Sequence, residues 1–131
     1  MGTLRDLLAY QKAFKLAMEI FNLSKRFPKE ETYSLTDQIR RCSRAVNANL
    51  GEAYRKRRYP NYFISKLSDA DTENGETQVW LDFALACKYI DKQQYDELYA
   101  ITEEIARLLV YMMNNSEKFL LESSKIQGVK S

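Results

Sequence analysis

Apolar residues recur at steps of three and four along most of the chain, which is the spacing of one face of an α-helix. This periodicity predicts four helices, at residues 5–26, 34–58, 60–89 and 92–119. Pro28 ends the first, Pro60 suits the first turn of the third, and Asp91 with Gln94 predicts a capping box opening the fourth. Because the connections are short, we predict an all-α, antiparallel up-down-up-down four-helix bundle.

The same spacing predicts which positions are buried on the first two helices. The first stripe contains Leu7, Tyr10, Phe14, Ala17 and Phe21, widened by Ala13 and Ile20. The second contains Leu35, Ile39, Cys42, Val46, Asn49 and Ala53, with Ser34 or Thr36 as the cap.

The middle of the third helix, residues 68–78, is polar except for Ala70. A helix that is polar on all sides is not held by burial alone, and buried amides need hydrogen-bond partners. We therefore predict that Asn49, Asn74 and Gln78 form hydrogen bonds across the middle of the bundle and fix its register; a ligand-binding role is the alternative.

A basic stripe accompanies the apolar stripe of the second helix. Residues 34–58 carry seven Lys and Arg against Asp37 and Glu52, a balance of +5 in a chain of net charge +2. The seven are Arg40, Arg41, Arg44, Arg55, Lys56, Arg57 and Arg58. The pattern predicts that Arg40, Arg44, Arg55 and Arg58 share one side of the helix over about 27 Å.

Two functions fit this stripe. Arginine binds phosphate through paired hydrogen bonds, which predicts a nucleic-acid site, and Tyr54, Tyr59 and Tyr62 beside it can stack on unpaired bases. Alternatively, the arginines form salt bridges with acidic residues of the third and fourth helices, within the protein or between subunits. The protein would then be a structural or scaffold oligomer that binds no nucleic acid.

The composition argues against an enzyme. The 131 residues suffice for one domain and include no histidine, which excludes the Glu-x-x-His di-iron sites of helix bundles. No nucleophile motif is present, although a site based on lysine or carboxylates stays open. We expect no catalytic residue, no metal site and no cofactor.

Cysteine usage and hydropathy favour a cytoplasmic protein. Cys42 and Cys87 lie on apolar stripes and are expected to be buried thiols, with a disulfide as the alternative. The chain has no signal-peptide pattern, and its longest apolar run, residues 108–113, is far shorter than the ~20 residues that span a membrane.

Three segments carry a resemblance to a known family: FPKEETYSLTDQIRRCSRAV at 27–46, NLGEAYRKR at 49–57 and ETQVWLDFALACKYI at 76–90. Over residues 7–119 the chain resembles the small bacterial four-helix bundle proteins encoded in intervening sequences of 23S ribosomal RNA genes. The family pattern falls on Ile39, Arg40, Arg41, Asn49, Glu52, Glu76, Thr77 and Gln78. Asn47, Ala53, Asp71, Thr72 and Asn74 depart from it.

The resemblance implies an antiparallel bundle that assembles into a homopentamer. It adds Glu52 and Glu76 to the predicted polar network. A distant relative, the accessory protein of diversity-generating retroelements, is a basic pentamer that binds nucleic acid. We therefore expect one domain over residues 4–119, a flexible tail over 120–131, and a non-catalytic homo-oligomer that binds RNA or other nucleic acid through the second helix.

Overall fold

A computed structural model of the protein describes residues 2–121, which form four α-helices and no β-strand. The helices are α1 (Leu8–Ser24), α2 (Leu35–Arg55), α3 (Pro60–Ala86) and α4 (Lys92–Asn114). Single 3-10 turns at Leu4–Asp6, Lys29–Glu31 and Ser116–Lys118 flank them. Each helix packs against two others, in the order α1, α2, α3, α4 and back to α1. The predicted all-α class and four-helix bundle are confirmed.

One side of each helix forms a common core. Its largest fully buried side chains include Leu16 and Ile20 from α1, Ile39 and Leu50 from α2, Phe63, Leu67 and Leu81 from α3, and Ile105, Leu109 and Met112 from α4. Burying one such side chain contributes about 1.5–3 kcal/mol. The polar sides of the helices are thereby fixed toward solvent.

The buried stripes of α1 and α2 differ from the prediction. On α1 the core side chains are the small or aliphatic ones at Ala9, Ala13, Leu16, Ala17 and Ile20, and Phe14 is 53% exposed. On α2, Leu50 enters the core, whereas Asn49 is only half-buried. A strict seven-residue pattern drifts by about 20° per repeat relative to a straight helix, which shifts the edge positions outward.

The end of α2 also differs from the prediction, because this helix stops at Arg55 and not at residue 58. Tyr59 precedes Pro60 and is extended, with φ −119° and ψ 95°, since a proline disfavours helical geometry in the residue before it. Pro60 opens α3 as predicted. The predicted continuous stripe of about 27 Å is therefore wrong, because Arg58 lies in a turn.

A glutamate, not a serine or threonine, caps the start of α2. The Leu35 N–H and the hydroxyls of Ser34 and Tyr89 all donate to the Glu31 carboxylate. The hydrogen bonds from Ser34, Tyr89 and Leu35 lower the pKa of Glu31 against its partial desolvation. At α4 the predicted capping box is confirmed, since Asp91 and Gln94 each accept the other's backbone N–H.

Two of the five predicted network residues connect α3 to α4. The Asn74 side-chain amide donates to the Thr102 carbonyl at 2.8 Å, and the Gln78 amide donates to the Thr102 hydroxyl at 2.9 Å. Thr102 and Asn74 are buried, so these bonds give partners to the Asn74 amide nitrogen and the Thr102 hydroxyl inside the bundle and fix the two helices against each other.

The other three predicted network residues lie elsewhere. The Asn49 amide donates to the Ala45 carbonyl of its own helix, so it makes no bond across the bundle. Glu52 forms a surface ion pair with Lys66 at 2.7 Å, and Glu76 is exposed. The register of α2 places Leu50 in the core and turns Asn49 away from it.

The packed domain extends beyond the predicted boundary at residue 119, because Leu120 is buried in the core. The remainder of the predicted tail, residues 122–131, lies outside the described residues. Within the part that is described, no helix has the length and hydropathy needed to cross a membrane.

The register of α2 can be tested by two adjacent substitutions. Leu50→Ala removes a fully buried side chain and should lower the free energy of unfolding by about 2–5 kcal/mol. Asn49→Ala removes one hydrogen bond within the helix but raises helix propensity, so it should lower the free energy of unfolding by less than about 1 kcal/mol. Urea unfolding followed by circular dichroism measures both. A larger loss for Asn49→Ala would contradict the observed register.

The cap formed by Glu31 should make stability depend on pH. The pKa of Glu31 is lower in the folded state than its ordinary 4.5. The ionised carboxylate therefore stabilises the fold fully above pH 4.5, and this stabilisation is lost as the pH falls through the pKa of the folded state. Glu31→Gln should therefore be less stable than the wild type at neutral pH, and the difference should shrink in acid. If the difference in unfolding free energy between the two proteins stays constant with pH, the negative charge of Glu31 does not stabilise the start of α2.

Candidate nucleic-acid interface

The seven predicted basic residues lie on α2 and in the turn that follows it. Arg40, Arg41, Arg44 and Arg55 are on α2, whereas Lys56, Arg57 and Arg58 are in the turn to α3. All are exposed except Arg40 and Arg57, which are half-buried. We call this set the basic face.

An aromatic ring of α1 organises the cations at one end of the basic face. Phe21 has the Lys25 ammonium at 4.7 Å from its ring centroid and the guanidinium groups of Arg40 and Arg44 at 4.9 and 5.3 Å. The Arg40 Nε also donates to the Ser24 hydroxyl at 2.7 Å. Cation–π contacts of this kind contribute about 0.5–1 kcal/mol at exposed sites. They orient the charges and leave them unneutralised.

A groove of about 510 Å³ lies beside this cluster. Its lining residues are Thr32, Thr36, Asp37, Arg40, Arg41, Arg44, Ala45 and Ala48. The Thr36 hydroxyl is buried and finds no hydrogen-bond partner in residues 2–121. The groove thus combines three arginines with one unused hydroxyl, and Asp37 is the single acidic residue in its lining.

Arg41 also lines a second, smaller groove on the α3 side. This groove, of about 270 Å³, includes Glu73 and Glu76. Burial and the neighbouring Glu76 raise the pKa of Glu73, and the positive charge of Arg41 opposes that rise. Acidic residues of α3 therefore act electrostatically on Arg41 within the subunit.

Lysines outside the basic face form direct ion pairs. These pairs are Lys12–Glu104, Lys66–Glu52, Lys66–Asp69 and Lys92–Asp96. Within residues 2–121, no carboxylate lies within 4 Å of the charged groups of Arg40, Arg41, Arg44, Arg55, Lys56 or Arg57. Those residues do not form the salt bridges with α3 and α4 that one prediction placed inside the subunit.

The three predicted tyrosines differ in how far they are exposed to solvent. Arg57 covers Tyr54, with its guanidinium 4.2 Å from the ring centroid and its Nε donating to the Tyr54 carbonyl at 3.1 Å. Burial raises the pKa of Tyr54. Tyr59 and Tyr62 are 50% and 61% exposed. Only these two present their rings to solvent beside the basic residues.

The cysteines are both free, and only one is buried. Cys42 accepts a hydrogen bond from the Thr77 hydroxyl at 3.2 Å, and burial raises the pKa of its thiol to about 11. Cys87 is exposed because α3 ends at Ala86, so the prediction of two buried thiols is wrong for Cys87. Residues 2–121 contain no group of three His, Cys, Asp or Glu placed to hold a metal ion.

Comparison with known protein families and solved structures agrees with the fold and identifies the family. The 23S rRNA-intervening sequence protein family matches the chain over residues 5–111. The chain belongs to this family. A similar solved structure is the crystal structure of a protein with unknown function from the S23 ribosomal protein family of Bacteroides thetaiotaomicron VPI-5482. It is 29% identical, with a TM-score of 0.76, and the match covers 82% of this chain and 96% of that chain. No curated protein matches this chain.

In this intervening-sequence protein, the periodicity of the sequence does not predict the contribution of α1 to the basic face. Phe21, predicted in the buried stripe, is only half-buried and contacts Lys25, Arg40 and Arg44. A usable signal exists, since Phe21 and Lys25 are four residues apart at the end of α1, as Arg40 and Arg44 are on α2. Recognising the cluster required knowing how α1 and α2 align, which is a long-range property.

Proposed function

We propose that this intervening-sequence protein is a non-catalytic homo-oligomer, a pentamer by resemblance, that binds RNA or other nucleic acid through its basic face. The observation that carries the proposal is the cluster of Lys25, Arg40 and Arg44 around Phe21, with no carboxylate ion pair to these cations in residues 2–121. Like charges four residues apart on a helix cost about 0.2–0.5 kcal/mol. A phosphate bound between them removes that cost and adds charge-assisted hydrogen bonds.

The spacing of the exposed arginines suits a polyanion better than a single small anion. Arg44 and Arg55 are eleven residues apart, or roughly three helical turns, so they lie on the same side of α2 about 16 Å apart. Along one strand of a duplex, successive phosphates are spaced about 3.4 Å apart along the helix axis. One bound strand therefore reaches both arginines, whereas one phosphate contacts only one end of the face.

Exposed apolar side chains support the homo-oligomer in this proposal. Phe14 and Met18 lie on the outer side of α1, and Val79 and Phe83 lie on the outer side of α3. By helical spacing, Lys15 neighbours Met18, and the acidic side chains at positions 76 and 82 neighbour Val79. Contact between these unlike sides of two copies buries apolar area and joins opposite charges.

A structural or scaffold oligomer is the second candidate function. The same exposed apolar side chains favour it, because they support assembly whether or not nucleic acid binds. In that function the arginines of α2 form salt bridges between subunits. We place the protein in the cytoplasm, without a membrane partner, which fits two free thiols.

Charge reversal at two exposed positions separates these functions. Arg44→Glu with Arg55→Glu should weaken binding of a fluorescent RNA hairpin at least tenfold and reduce the slope of log K against log salt by about 1.4–1.8, because two phosphate contacts are lost. Fluorescence anisotropy over a salt series measures both quantities. Light scattering of the same samples should give an unchanged oligomer mass.

The matched control is Lys88→Glu with Arg107→Glu. Both side chains are exposed, lie after the end of α3 and on α4, and make no ion pair with residues 2–121, and the net charge changes equally. If the control variant weakens RNA binding equally, the loss of affinity comes from overall charge and not from the basic face. Dissociation of the oligomer by Arg44→Glu with Arg55→Glu would favour the scaffold function instead.

A further inference from the structure

Two exposed tyrosine rings stand at the end of the basic face where α2 turns into α3. Tyr59 is the last residue before α3, and Tyr62 lies in its first turn. Their ring centroids are 6.2 Å apart and the planes meet at 84°, so each ring leaves a face free of the other. Half or more of each residue is accessible to solvent.

The fold itself makes little use of these rings. Tyr54, in the last turn of α2, is half-buried against the core and covered by Arg57. Tyr59 and Tyr62 belong neither to the core nor to the partly buried side chains that pack against it. A large aromatic side chain left in water gives up the stabilisation of burial, and such residues often mark a recognition surface.

One cation, Lys56, lies close to both rings. The Lys56 ammonium lies 5.4 Å from the Tyr62 ring centroid and 6.0 Å from that of Tyr59. Arg55 precedes Lys56, is exposed and belongs to the same face as Arg44. Exposed rings beside cations suit a ligand that has both a flat π-surface and a negative backbone, which is the chemistry of an unpaired nucleotide.

We propose that Tyr59 and Tyr62 form a stacking platform for unpaired bases, so that the basic face prefers single-stranded nucleic acid to a fully paired duplex. The proposal rests on the proposed function, since it names the class of nucleic acid that the same face selects. Bases inside a duplex are already stacked on each other and offer no free π-face to a side chain. Unpaired bases offer both faces.

The distance between the two ends of the face fits one continuous strand. Arg44 and Arg55, the residue before Lys56, are eleven residues apart, or about 16 Å along α2. At about 3.4 Å per phosphate of a stacked strand, this is roughly five steps. A strand held at the Phe21 cluster therefore reaches the tyrosines with its next few nucleotides.

Paired variants test the platform on the full-length assembled protein. Tyr59→Leu with Tyr62→Leu removes both rings, and the control, Tyr59→Phe with Tyr62→Phe, keeps the rings and removes only the hydroxyls. The probes are a fluorescent RNA of about 12 nucleotides, roughly 40 Å at ~3.4 Å per step, its DNA counterpart, and the blunt RNA duplex of the same sequence. Anisotropy titrations at several salt concentrations give the affinities and slopes.

The leucine pair should bind the single strand roughly tenfold more weakly or worse, while its salt slope and its duplex affinity stay unchanged, because stacking and not phosphate contact is lost. The phenylalanine pair should bind as the wild type does. Comparison of the RNA and DNA strands shows whether the 2′-hydroxyl contributes.

Three results would overturn the proposal. The first is a leucine pair that binds the single strand as the wild type does, and the second is equal weakening on single strand and duplex. The third is a change in oligomer mass, which would make the tyrosines a subunit contact. These results leave the proposed function standing, whereas wild-type protein that binds none of the probes would refute both.

Discussion

Burial of one side of α2 is the constraint on which the arrangement of charges depends. Leu35, Ile39, Val46, Leu50 and Ala53 are held in the core between α1 and α3. A helix has only 3.6 residues per turn, so fixing this side also fixes the opposite one. Arg44 and Arg55 therefore project outward as a consequence of packing, and no interaction of their own is needed to hold the helix in that orientation.

The basic face is ordered by aromatic rings more than by carboxylates. Phe21 orients three cations at one end, and Arg57 covers Tyr54 at the other. A carboxylate in the same places would neutralise the charge and compete with any anion, whereas a ring face restrains the side chain and keeps the charge. Acidic residues of α3 and α4 pair instead with lysines elsewhere, such as Lys12 and Lys66. Pre-ordered cations lose less entropy when a ligand binds.

Local chemistry in the sequence determined most of the fold. The apolar spacing gave four helices, Pro60 opened α3, and Asp91 with Gln94 capped α4 as predicted. The errors arose where long-range packing decides the outcome. Whether residue 49 or 50 enters the core depends on how α2 rotates against its neighbours, and small residues such as Ala13 and Ala17 let α1 approach closely, leaving Phe14 outside. The Phe21 cluster joins residues about twenty apart, which no local pattern reveals.

If the basic face binds nucleic acid, the exposed arginines of α2 remain open to solvent and free of carboxylate partners when subunits assemble. Phenylglyoxal modification of the assembled protein, followed by peptide mass mapping, tests it most directly. Arg44 and Arg55 should react as fast as the exposed Arg107 of α4, and the half-buried Arg40, held by Ser24 and Phe21, should react more slowly. If Arg44 and Arg55 react only after the assembly is denatured, the basic face is closed in the assembled protein and cannot bind nucleic acid.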